Sequence, residues 1–285
     1  MKIIKNYRKA FTFVELIFVI IILGIVASLG AEIIAKTYEG YILQRAQHRA
    51  SVKTELAAIQ IANRLRYAIK GTIFRIRDDN SKESVEAPLS AGVTYKGLQW
   101  VSTDADSFES MSGNAGDGKN RRPGWSGFCD LEQSTKNTLI TPGSNMKLTN
   151  DIIKNLSNNG KKLEDAVIYF PDDNTTHTIA AGTSTADYED NITLDNVANR
   201  TMKEHYKLAW SSYALIVENG DLNLYYNFDP SPASNYTGKS KSLLMKDIST
   251  FKFKAAGGTI RFKICKEEYI SSDLNITSCK EKAVF

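Results

Sequence analysis

The chain has 285 residues, 42% hydrophobic and 24% charged, the balance of a folded protein rather than a disordered or fibrous one. Its formal net charge of +4 is matched by four cations at the start, Lys2, Lys5, Arg8 and Lys9, with no acid among them. Without that stretch the remainder is near neutral, which argues against a dedicated nucleic-acid binder, since such a protein carries a strong basic excess.

The first predicted element is an apolar helix. From Phe11 to Ala31 the only charged residue is Glu15. At 1.5 Å per residue this run reaches about 30 Å, the thickness of a bilayer's hydrocarbon core. The cationic start obeys the positive-inside rule and leaves the C-terminal mass across the membrane. Glu15 is out of place there, because a carboxylate in lipid costs roughly 2.5–3.5 kcal/mol near a helix centre, and so calls for a partner. A cleaved secretory signal fits poorly, since Leu29 stands where its cut site wants a small residue. A plain signal anchor explains the length and the basic flank, but not the glutamate.

The helical pattern continues past Ala31. Val52, Leu56, Ile59, Ala62, Leu65, Ile69 and Ile73 step by three or four, predicting one helix to about Lys70 whose stripe packs on a sheet. Gly71 is the expected stop. Gly24, Gly30 and Gly40 each weaken the helix by about 1 kcal/mol against Ala, with no proline in the span. About 215 residues then remain, enough for one globular domain.

Ser102–Gln133 and Asp172–Glu189 are polar and aperiodic and read as long loops or insertions. Ala166–Phe170 reads as a strand stopped by Pro171. Tyr213–Glu218 and Asp221–Phe228 flank Asn219-Gly220, a two-residue hairpin turn. Phe251, Phe253 and Ala255 alternate before Gly257-Gly258, and Ile260, Phe262 and Ile264 alternate after it, a second hairpin with its apolar face on the helix.

The stretch Lys9-Ala10-Phe11-Thr12-Phe13-Val14-Glu15-Leu16, a basic leader followed by Phe-Thr-x-x-Glu-Leu and an apolar run, resembles a type IV prepilin signal. Type IV pilins and type II secretion pseudopilins share it. The resemblance implies cleavage between Ala10 and Phe11 by a prepilin peptidase, with methylation of the new Phe11 amine. Ala10 stands where that family usually has Gly. It further implies that Glu15 pairs with the N-terminal amine of a neighbouring subunit. It also implies an α+β fold, a long N-terminal helix packed on an antiparallel sheet, with Cys265 paired to Cys279. On the residues alone, Cys129, Cys265 and Cys279 allow three pairings or free thiols.

Other motifs carry less. Gly113–Asn120 nearly spells a phosphate-binding loop, but Asn120 replaces the Ser or Thr, and Pro123 and Gly124 stand where its helix should start. His48, His177 and His205 share no local catalytic arrangement, and no C-x-x-C or His pair makes a zinc site. Asp104, Asp106 and Asp117 match no defined calcium spacing. Asn174, Asn191 and Asn275 each have an acid two residues before and a Thr two after, which resembles the acceptor sequence of bacterial N-glycosylation enzymes.

The sequence therefore reads as a leader at 1–10, a transmembrane or filament-core helix at 11–32, an amphipathic helical half at 33–70 and a periplasmic globular domain at 71–285. The expected protein is a minor pilin or pseudopilin in the bacterial inner membrane, without catalytic residues, metal or cofactor. Its expected partners are a prepilin peptidase, other pilin-like subunits and an inner-membrane assembly platform, with no direct nucleic-acid contact. The rival expectation is a signal-anchored periplasmic protein with a binding or enzymatic domain.

Overall fold

Thr12 opens the fold by capping one long helix, α1 (Phe13–Arg66), its Oγ1 accepting the Glu15 amide at 3.4 Å. This satisfies one of the amides that every helix start leaves without a partner. The structure is a computed structural model and describes residues 12–90, 92–112, 121–173, 175–180, 190–195, 200–271 and 274–285. At 54 residues, α1 is about 81 Å long and passes through Gly24, Gly30 and Gly40 unbroken. It ends at Tyr67, short of the expected Gly71. There the Ile69 amide bonds to the Val101 carbonyl at 2.9 Å and Ala68 bridges Ser102, so strand pairing captures the chain first.

After the helix come β1 (Phe74–Arg77), β2 (Lys82–Ser84) and β3 (Tyr95–Ser102). Residues 103–210 then leave the sheet. They hold α2 (Ala105–Glu109), β4 (Thr138–Ile140), α3 (Met146–Leu156), β5 (Val167–Tyr169), β6 (His177–Thr178), β7 (Asn191–Thr193) and β8 (Lys207–Ala209). The chain returns as β9 (Ser211–Glu218), turns through Asn219 (φ 53°) and Gly220 (φ 81°) into β10 (Asp221–Phe228), and adds β11 (Ser240–Met245). The six strands form an antiparallel sheet in the order β11-β10-β9-β3-β1-β2. Gly97 permits the β3–β9 approach, since a Cβ there would stand 1.9 Å from the Leu215 carbonyl oxygen.

The last element is a three-stranded meander, β12 (Ile248–Ala256), β13 (Thr259–Ser271) and β14 (Leu274–Val284). Phe253 pairs Phe262 and Phe251 pairs Ile264 on its inner face, while Cys265 and Cys279 sit opposite one another and are disulfide-bonded.

Two cores result. The first gathers Ala57, Ala58, Ile61 and Leu65 of α1 with Leu98, Trp100, Leu215 and Leu224 of the large sheet and Phe253, Phe262 and Ile264 of the meander. The second lies wholly between residues 125 and 210, with Trp125, Leu139, Met146, Ile153, Ile168 and Trp210 among its members. Within the stretch 71–285, residues 103–210 form a lobe inserted between β3 and β9. β3 and β9 are neighbours in register, Ser102 opposite Ser211, so the lobe leaves and rejoins the body at two adjacent strand ends. Its Val167, Tyr169 and Ala209 also pack on Ile69 and Val101 of the body.

Candidate functional site

The long helix is the part of the molecule with unmet physical demands. From Phe13 to Arg49 no residue of α1 is buried, and Ile20, Ile22 and Leu23 are more than half exposed. Fully burying such a side chain gains roughly 1.5–3 kcal/mol, so a run of this length in water would be strongly unfavourable. The helix is long and apolar enough to cross a membrane.

Glu15 stands exposed at the start of that run, in the first turn of α1. Its backbone amide is held by Thr12 Oγ1, and Thr12-Phe13-Val14-Glu15 has the spacing of a capping box. Its carboxylate, however, has no hydrogen bond or ion pair among the described residues. Ala10 and Phe11 lie outside the described residues.

Farther along, α1 has two apolar faces. The face on the sheets is made of small and medium residues, Ala50, Thr54, Ala57, Ala58, Ile61 and Leu65. The predicted stripe was expected to pack as a whole, and only Leu65, Ile69 and Ile73 are buried. Val52, Leu56 and Ile59 are 43%, 56% and 41% exposed. At 100° per residue they lie roughly 140–180° round the helix from Ile61, with Leu56 still bordering the groove that α1 forms with Leu243, Leu244 and Met245 of β11. The reason is packing distance: alanines let α1 sit close to the meander, and the larger aliphatics turn outward. Ile34, Tyr38 and Tyr41 continue this outer face toward the apolar run, all more than half exposed.

Charged contacts fix the rotation. Glu55 takes Lys282 at 2.5 Å and Lys280 at 3.4 Å from β14, and these lysines hold its carboxylate below the usual range. Arg49 pairs with Glu268, which also meets the buried Lys266 at 3.4 Å.

Among the described residues, the remaining candidates are held in separate local contacts. No group of three His, Cys, Asp or Glu side chains that could hold a metal occurs among the described residues. His48 is exposed on α1, and His205 lies edge-on to Phe128. His177, read as part of a polar loop, is buried: its Nε2 meets Asp173 Oδ2 at 2.9 Å and its Nδ1 accepts from Arg200 Nε at 3.2 Å. Both ring nitrogens are therefore occupied. Burial pushes the Asp173 carboxyl up, but Thr175 and His177 outweigh it and bring it down to about 2.

Asp104 caps α2 by accepting the Ser107 amide at 3.2 Å, while its buried Oδ2 meets no hydrogen-bond criterion among the described residues. Burial pushes this carboxyl up to about 6 against the Ser107 hydrogen bonds. Asp106 is exposed, and Asp117 lies outside the described residues. Asn191 pairs with Ile140 in the short β4–β7 ladder and is half-buried. Asn275 is exposed at the start of β14, its amide donating to Glu267. Asn174 and the near phosphate-loop stretch 113–120 lie outside the described residues. Cys129 is a buried free thiol, pushed up by burial.

With this geometry in view, residues 5–31 match the prokaryotic N-terminal methylation motif. That match supports a type IV pilin-like prepilin signal, and with it processing by a prepilin peptidase and pilin-type assembly in general. Together with the apolar helix it fits membrane anchoring. Neither curated proteins nor solved structures gave a match to the chain.

Proposed function

We propose that this chain is a structural and assembly subunit, a minor pilin or pseudopilin, with no catalytic role of its own. It waits in the bacterial inner membrane on α1 with its body in the periplasm. Cleavage after Ala10 then frees a Phe11 amine that is methylated, and the subunit enters a type IV pilus or a type II secretion pseudopilus with the help of an inner-membrane assembly platform. The observation that carries this reading is the exposed Glu15 carboxylate in the methylation-motif helix, without a partner among the described residues. In an assembly a Phe11 ammonium from another subunit would compensate its burial and fix axial register. The outer face of α1, with Val52, Leu56 and Ile59, would meet neighbouring helices.

N-terminal mass spectrometry of the protein purified from membranes tests this directly. The expected mature chain begins at N-methyl-Phe11. A chain that still begins at Met1 overturns the proposal in favour of a signal-anchored periplasmic binding or enzymatic protein. Asn275 is the better placed acceptor of the two described glycosylation candidates, since Asn191 is held in a ladder.

A further inference from the structure

The place where the lobe leaves and rejoins the body is also a cleft. Ser102 and Thr103 at the end of β3 line it with Trp210 and Ser211 at the start of β9, together with Arg64 and Tyr67 at the end of α1. Its volume is about 320 Å³, the size of a small-molecule site, and such sites favour junctions between folding units.

The lining carries buried oxygens that the fold does not use. Asp104 is 3% exposed, and its Oδ2 meets no hydrogen-bond criterion among the described residues. The adjacent Thr103 Oγ1 is buried and open in the same way. Capping does not account for the carboxylate. The Ser107 amide takes only Oδ1, and Ser, Thr or Asn would cap as well without a buried charge. Ser107 and Trp210 favour the charged form, but burial outweighs them and raises the carboxyl. A buried carboxylate with one oxygen open calls for a donor from outside the chain.

The charges of the lining indicate which donor. Asp104, Asp106 and Arg64 are the charged residues among those that line the cleft. Two carboxylates against one guanidinium leave a net charge of minus one, the complement of a monovalent cation. A divalent metal fits poorly, because calcium and magnesium need a full shell of oxygens, and no group of three acidic, His or Cys ligands occurs among the described residues. The walls are aromatic, with Tyr67, Trp210 and Tyr213, and aromatic faces attract cations. The molecule shows this attraction itself, since the Arg64 guanidinium stands 5.3 Å from the Tyr213 ring centroid. Arg64 is exposed and has no ion pair among the described residues, so a ligand can displace it from that ring. An ammonium brings several N–H donors, enough for Asp104 Oδ2 and Thr103 Oγ1 together.

We infer that this cleft binds a small primary amine as its ammonium ion, with the nitrogen at Asp104 and Thr103 and an apolar or aromatic skeleton against Tyr67 and Trp210. The site belongs to the subunit itself and does not rest on its role in assembly. The test titrates full-length protein in neutral-lipid nanodiscs with benzylammonium by isothermal calorimetry at neutral pH, beside benzyl alcohol and benzoate, which share its ring. Benzylammonium should bind saturably, and the other two at least about tenfold more weakly. Asp104→Asn should lower benzylammonium affinity by about tenfold or more. The same variant should melt no lower than the parent, which separates lost binding from lost folding. Arg64→Gln, on the exposed rim, should raise affinity by about threefold through removal of a competing cation. No saturable binding of benzylammonium below about 10 mM, equal binding of benzyl alcohol, or an Asp104→Asn variant that binds as the parent does would each overturn the proposal.

Discussion

At the scale of single residues, the two carboxylates that matter are both left incomplete. Glu15 has no partner among the described residues, at the start of an apolar stretch of α1 that is exposed along its length. Asp104 Oδ2 has none among the described residues, and the residue is sealed within the lobe, 3% exposed. The second case has a defined pH signature. Its folded value of about 6 lies above the ordinary 3.8, so the folded state holds the proton more tightly. The associated stability is fully present below about pH 4 and is lost as pH rises through 6. At about 1.4 kcal/mol per unit the loss is on the order of 3 kcal/mol. Asp104→Asn keeps a carbonyl for the Ser107 amide and removes the titration. Urea denaturation should find the variant more stable than the parent at pH 7 by about 1–3 kcal/mol and little changed at pH 4. Equal stabilisation at both pH values would mean that deprotonation of Asp104 is not the cause.

At the scale of elements, α1 separates what repeats from what packs. The three-and-four spacing of Val52, Leu56 and Ile59 was legible in the sequence, and so was the helix it implies. Which side of the helix meets the sheets was not. Alanines at 50, 57 and 58 look weak on any hydrophobic scale, yet they line the contact because they allow close approach. The helix end was misplaced for a related reason, since Gly71 is a local signal and the Ile69–Val101 bond is a tertiary one. Local signals succeeded where local chemistry decides: Asn219-Gly220 turns the hairpin, and alternation about Gly257-Gly258 sets the meander's two faces.

An outer apolar face with no core role permits a clean separation of folding from assembly. Leu56→Glu should leave thermal unfolding of the isolated subunit within about 0.5 kcal/mol of the parent, as for surface substitutions in general. The same change should reduce incorporation into filaments, measured by the fraction of subunit recovered in sheared surface material. Normal incorporation would remove that face from the assembly interface.

At the scale of the whole molecule, the lobe was the least legible feature. The stretch 102–133 reads as loop because it lacks periodicity, although it contributes α2 and the buried Trp125 and Cys129. Its core is assembled from strands of two or three residues, too short for alternation to register. The signal that defines it, Ser102 opposite Ser211, is a pairing between distant positions with no trace in either neighbourhood.

That pairing bears on the order in which the chain acquires its structure. Bringing β3 to β9 across a disordered span of residues 103–210 carries a closure entropy of about 4 kcal/mol, from (3/2)RT ln n. Once Trp125, Ile168 and Trp210 have condensed, the Asp104 amide already bonds the Leu208 carbonyl at 2.8 Å and the ends are side by side. A lobe that condenses first spares the central sheet, and the helix docked on it, this closure entropy. In stopped-flow refolding Ile168→Val should slow folding, while Ile61→Val should chiefly speed unfolding. The reverse pattern would place the nucleus in the body. In that order the inserted lobe, between β3 and β9, sets the pace at which α1 gains the sheet it docks on.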